Sequence, residues 1–103
     1  MHKREPSDCE LPADIVPMSV TSNEWEPFVY LGEKLFISPG VPAKLGKVVA
    51  LVSAQGEYAI GKLETEADGF WSIGMFNRRG GSRFVYRSEG WTYAGRAFSR
   101  WFP

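Results

Sequence analysis

The chain is 103 residues long, 44% hydrophobic and 15% aromatic. That is enough apolar material for one packed domain and too little length for separate cofactor and substrate lobes. Twelve basic residues balance twelve acidic ones, so the positive surplus expected of a general polyanion binder is missing. A single cysteine, Cys9, excludes an internal disulfide. No uncharged run approaches the roughly 20 apolar residues of a spanning helix, and Met1–Asp8 lacks the apolar stretch of a secretory signal. The chain therefore reads as soluble and cytoplasmic.

Residues 1–14 are polar, contain Pro6 and Pro12, and read as a loose arm ahead of a domain over 15–103. Ile15–Val20 is apolar but holds Pro17, which confines any strand there to a sheet edge. Phe28–Leu31 and Lys34–Ile37 read as strands, the second stopped by Ser38-Pro39-Gly40. Lys47–Ala54 and Glu57–Leu63 are β-rich and joined through Gln55-Gly56, which predicts a hairpin. Glu64–Gly69 is polar and ends in the turn signal Asp68-Gly69. Phe70–Phe76 follows as a strand, 77–81 as a loop, and Ser82–Arg87 as another strand. In Ser82–Arg87, Arg83, Val85 and Arg87 alternate with Phe84 and Tyr86; the aromatics are expected to face the core and the arginines water. Gly90 breaks the run, and Trp91–Phe98 closes the domain. No window carries helical periodicity. The pattern predicts a mostly β domain, a small, partly open β-barrel or sandwich of about six to eight short strands.

Charge is segregated along the chain. Residues 1–68 carry 11 acids and 6 bases; residues 69–103 carry one acid, Glu89, and six arginines. The two halves can satisfy each other within one fold, pair between copies, or meet a charged partner. Little else carries chemistry. His2 and Cys9 are the only histidine and cysteine, which argues against a zinc site and a Ser-His-Asp triad. Asn77-Arg78-Arg79-Gly80-Gly81 is a basic glycine loop without the flanking strand and helix of a phosphate cradle. The pairs Glu24/Glu26 and Glu64/Glu66 would share a face on a strand and could form acid/base dyads, although solvated charges near turns are the plainer reading. No cofactor and no metal is implied.

The order of elements resembles the self-cleaving serine–lysine peptidases of the LexA and phage-repressor type. The resemblance covers about residues 15–98. Ser22-Asn23-Glu24-Trp25-Glu26-Pro27 is similar to the family's nucleophile box. Gly32–Ile37 and Gly46–Val52 resemble its two Gly-Asp strands. Gly56–Leu63 resembles the hairpin that carries the general-base lysine, Phe76-Asn77 its Asn turn, and Tyr93–Phe98 its closing strand. The resemblance implies a compact β domain that dimerises. It also locates the departures. Glu24 stands at the serine position. The lysine position falls on Gly61, with Lys62 one residue away, and a one-residue shift on a strand turns a side chain to the other face.

The mechanism needs a hydroxyl within about 3 Å of a neutral amine, so the chain is expected not to be an enzyme. A displaced Ser22–Lys62 dyad is the residual peptidase alternative. The leading expectation is a non-catalytic interaction and dimerisation module of phage or prophage origin. Its partner would be a second copy, as a homodimer, or a repressor-type regulator. The contact residues expected are Arg83, Trp91, Tyr93, Arg96 and Trp101, the types enriched at binding hot spots. Two alternatives stand beside it: a single-stranded nucleic-acid binder using the same aromatics and arginines, and a phage-encoded inhibitor of a host or defence protein.

Overall fold

A computed structural model describes residues 14–76 and 81–100. Most of the expected arm, residues 77–80 of the expected loop, and Trp101 lie outside the described residues. Seven strands form one antiparallel sheet: β1 (Val16–Ser19), β2 (Lys34–Ser38), β3 (Val48–Val52), β4 (Tyr58–Glu66), β5 (Phe70–Gly74), β6 (Ser82–Tyr86) and β7 (Thr92–Phe98). Their order across the sheet is β1-β2-β7-β3-β4-β5-β6. The domain is mostly β, as the strand pattern predicts, and the sheet stays open instead of closing into a barrel. A 3₁₀ turn, Arg87–Glu89, links β6 towards β7. Among the described residues no helix is long and apolar enough to cross a membrane.

Burial on both faces of the central strands organises the fold. Val49 and Leu51 of β3, with Ala59 and Leu63 of β4, pack with Trp71, Ile73, Val85 and Trp91. The alternate residues Ala50 and Ile60 pack with Leu35, Ile37, Ala97, Trp25 and Val29. Side chains alternate between faces along a strand, so these clusters are two cores on opposite faces of one sheet. The second core is roofed by the turn over 22–29. Phe28–Leu31, expected as a strand, is irregular: Phe28 and Val29 end that turn, where their amides both donate to the Trp25 carbonyl, at 2.9 and 3.2 Å, and Tyr30 and Leu31 enter the next, where the Glu33 amide donates to the Tyr30 carbonyl at 2.9 Å. Trp25 and Val29 are thereby driven into the core from a loop.

The Ser53–Glu57 hairpin turn forms where Gln55-Gly56 predicts it. The Ser53 hydroxyl accepts from the Gln55 and Glu57 amides at 3.2 and 3.1 Å. Gly56 takes φ 89°, in the left-handed region that suits glycine. The Asp68-Gly69 turn also forms, closed by Ala67 N–H donating to the Phe70 carbonyl at 2.9 Å. Glu64–Glu66, expected as turn, is strand instead. A register shift between Leu63 and Thr65 lets β4 run on beside β5.

The same irregularity separates the Glu64/Glu66 pair. Glu64 accepts from Ser72 and Ser82 at 3.3 and 2.8 Å, while Glu66 registers with Trp71, whose side chain points to the other face. Glu24 and Glu26 lie in the 22–29 turn and not on a strand, so neither pair forms the face-sharing dyad that strand geometry would give.

In β6 the expected faces are reversed. Val85 is 1% exposed, whereas Phe84 and Tyr86 are 55% and 43% exposed. Val85 registers with Trp71, and Arg83 with Ile73, so the arginines share the core side. They stay hydrated at the tip while their stems cover apolar surface. The Arg87 guanidinium sits 4.0 Å from the Trp71 ring centre, and that of Arg83 5.0 Å from Trp91.

Candidate functional site

A groove of about 520 Å³ opens where the end of β1, the 22–29 turn, the β3–β4 hairpin and β6 converge. Trp25 and Trp91, both nearly buried, and the half-buried Tyr58 give it aromatic walls. Glu24, Glu57 and Arg83 bring charge to it. Each element has a local reason for its place. Trp25 anchors the turn in one core and Trp91 anchors the start of β7 in the other. Tyr58 opens β4 directly after the hairpin turn. Arg83 is held over Trp91 by its cation–π contact. The site is thus a bipolar cleft with a rigid aromatic lining, suited to holding an extended segment with both apolar and charged side chains.

Of the sequence-predicted residues, Glu24, Arg83 and Trp91 meet in this groove. The Ser22 hydroxyl, proposed as a displaced nucleophile, donates to the Glu24 carboxylate at 3.2 Å in an exposed hydrogen bond and is not among the groove residues. Lys62 is exposed on β4, in register with Val48, and is not among the groove residues. Gly61 is buried against β5. A Cβ there would stand 2.7 Å from the Gly74 carbonyl oxygen and 3.0 Å from Ile73 Cβ, so β5 leaves no room for a side chain at position 61, where the sequence resemblance would expect the lysine.

Tyr93 and Arg96 lie elsewhere. The Tyr93 hydroxyl donates to the Val41 carbonyl at 2.6 Å, and Arg96 Nη1 donates to the Pro42 carbonyl at 3.4 Å. Both pin the loop between β2 and β3 to the sheet. Burial raises the Tyr93 pKa above the ordinary tyrosine value; Arg96 opposes that rise and Glu66 adds to it. Among the described residues no group of three or more His, Cys, Asp or Glu gathers at one point to hold a metal.

The groove also uses residues that sequence reasoning did not single out as contacts: Trp25, Glu57 and Tyr58. Trp25 and Tyr58 carried a faint signal, as each is a large aromatic beside a polar turn. Their convergence on Arg83 depends on the sheet's long-range order. No family model matches the chain, and no curated protein matches it.

Proposed function

We propose that the chain is a non-catalytic protein-interaction module that holds an extended segment of a partner protein in the Glu24–Trp91 groove. The observation that carries this reading is the groove itself: three aromatic side chains and a stacked arginine converge beside Glu24. Glu24 offers a carboxylate at the nucleophile position, the Ser22 hydroxyl is engaged by it, and Gly61 is sealed by β5. A partner segment with apolar residues for Trp25, Tyr58 and Trp91 and an acidic group for Arg83 fits the lining chemistry. A repressor-type regulator of phage or prophage origin is the partner class that the resemblance favours.

The test is site-specific photo-crosslinking from Thr21, at the groove rim, in the source cell. A crosslinked regulator that disappears in Glu24→Arg, with an unchanged circular dichroism spectrum, is the expected result. A crosslink indifferent to Glu24→Arg, or a truncated product after incubation of the purified protein at alkaline pH, overturns the reading.

A single-stranded nucleic-acid reading has one observation in its favour, the exposed Phe84 and Tyr86 beside Phe70. Glu64, held on the same face by Ser72 and Ser82, sets a carboxylate where a phosphate backbone would pass.

A further inference from the structure

The two edges of the sheet are built differently. At the β1 edge, Val20 N–H donates to the Glu33 carbonyl at 2.9 Å. This continues the β1–β2 register, in which Pro17 faces Phe36. Hydrogen-bonded and non-bonded pairs alternate along an antiparallel ladder. The even-numbered residues of β1 therefore bond β2, and the odd-numbered ones, Pro17 among them, turn their backbone outward. Pro17 has no N–H to offer, so this edge is blunted in the way natural edge strands commonly are.

β6 has no such protection. Its register with β5 is extended at both ends by Met75 N–H donating to the Gly81 carbonyl at 3.0 Å and Arg87 N–H to the Gly69 carbonyl at 2.9 Å. By the same alternation, Arg83 and Val85 exchange their backbone bonds with β5. Ser82, Phe84 and Tyr86 turn theirs to the outer edge. The strand contains no proline or lysine, and β6 has a sheet neighbour on one side only among the described residues. The side chains of Phe84 and Tyr86 also stand exposed on one face, each 5.9 Å from the Phe70 ring centre.

We infer that the outer edge of β6 pairs with β6 of a second copy of this chain, antiparallel and two-fold symmetric about Phe84. The edge is self-complementary in this register. Phe84 meets its own counterpart and Ser82 meets the counterpart of Tyr86, so every outward N–H and C=O of the three residues finds a partner. On the aromatic face the axis brings Phe70, Phe84 and Tyr86 of both copies together. On the other face Arg83 stands opposite Val85, so no like charges are directly opposed. Arg83 and Arg87 are drawn back over Trp91 and Trp71 of their own copy. A chain of zero formal net charge adds no long-range repulsion between copies.

The inference rests on the interaction reading but uses the outer backbone edge of β6 and its Phe84 face, whereas the groove takes only the Arg83 side chain from that strand. Glu24→Arg is expected to leave the dimer intact, and the two readings fail separately.

The test is the mass of the full chain in solution, by light scattering or sedimentation, across the micromolar range. The expected mass is twice 11.6 kDa. Phe84→Pro removes an N–H that β5 does not use, and Phe84→Lys sets two ammonium groups opposite each other at an exposed position. Each is expected to raise the dimer dissociation constant at least about tenfold, with the folded circular dichroism spectrum retained, most securely for Phe84→Lys. Pro17→Ala is expected to change nothing. A strict monomer throughout the range, or a dimer indifferent to both Phe84 variants, overturns the inference. So does a monomer that binds a fluorescent oligonucleotide at low salt and loses it in Phe84→Ala, which would assign this face to nucleic acid.

Discussion

Alanine at Gly61 tests the sealed β4–β5 contact directly. The added Cβ would lie 2.7 Å from the Gly74 carbonyl oxygen, 3.0 Å from Ile73 Cβ and 3.1 Å from Ile73 Cδ1. The first of these is backbone in a paired strand, so relief requires moving β5 itself. Overpacking of this kind costs about 1–3 kcal/mol. Gly→Ala also narrows the unfolded ensemble, a gain of about 0.4–1 kcal/mol that would mask part of the clash. Gly69→Ala serves as the reference, because a Cβ at Gly69 meets nothing within 4 Å and gains the same entropy. The difference between the two variants isolates the clash. At about 2.1 cal/mol/K per residue, 103 residues give an unfolding entropy of about 0.2 kcal/mol/K, so 1–3 kcal/mol corresponds to about 5–14 °C in Tm. Differential scanning calorimetry of the pair is expected to show that gap, with Gly61→Ala the lower. Midpoints within about 2 °C of each other would refute the steric reasoning.

A hydroxyl introduced at position 24 is expected to bring no cleavage: Glu24→Ser should keep its intact mass through prolonged alkaline incubation, because Lys62 is not in the groove and a general base must lie within about 3 Å. Tyr93→Phe loses the hydroxyl's bond to the Val41 carbonyl and should cost about 1 kcal/mol in urea melts near neutral pH. The Tyr93 pKa is raised in the fold, so folding favours the neutral phenol. Its advantage is complete below 10.0, the unfolded value, and is lost as pH rises through the higher folded value. The wild-type lead over Tyr93→Phe should therefore shrink only above pH 10.0. In the groove, Trp91→Ala empties a buried core position and should cost about 3–5 kcal/mol. Arg83→Ala removes a surface cation–π contact and should cost about 0.5–1 kcal/mol. Equal effects in chemical denaturation would contradict the assignment of Trp91 to core and Arg83 to lining.

Local chemistry in the sequence marked the parts of the fold that local chemistry decides. Pro17 identifies an edge strand because the missing N–H acts at that residue. Gln55-Gly56 and Asp68-Gly69 form turns because their backbone preferences are intrinsic. The faces of β6 were not legible in this way. Alternation along Ser82–Arg87 is plain in the sequence, but it states only that two faces exist. Apolarity favours Phe84 and Tyr86 for the core. What decides against them is Val85 in register with the buried Trp71, together with two tryptophan rings placed to receive the arginine stems. That information resides in strand pairing and in the insertion of β7 between β2 and β3, neither of which any short window contains. Phe28–Leu31 failed for a related reason. Its apolar run serves a core-facing turn, where Val29 is buried while Tyr30 and Leu31 are exposed.

The candidate site shows the same division. Glu24 and Gly61 drew notice in the sequence through the motif it resembles. Their consequence became visible only in three dimensions. A carboxylate at 24 is a local feature that one substitution removes. The closure at 61 is not local, because its space is occupied by the Gly74 carbonyl and the Ile73 side chain of another strand. A lysine there would require β5 to move away from β4. That movement would disturb Trp71 and Ile73 of the core that also seats Trp91, a wall of the groove. The packing that fills the space at Gly61 is therefore continuous with the packing that seats Trp91, an aromatic wall of the groove. A cleft stiffened in this way loses little ordering entropy when a partner segment enters it, which is the physical ground for reading it as a surface that holds.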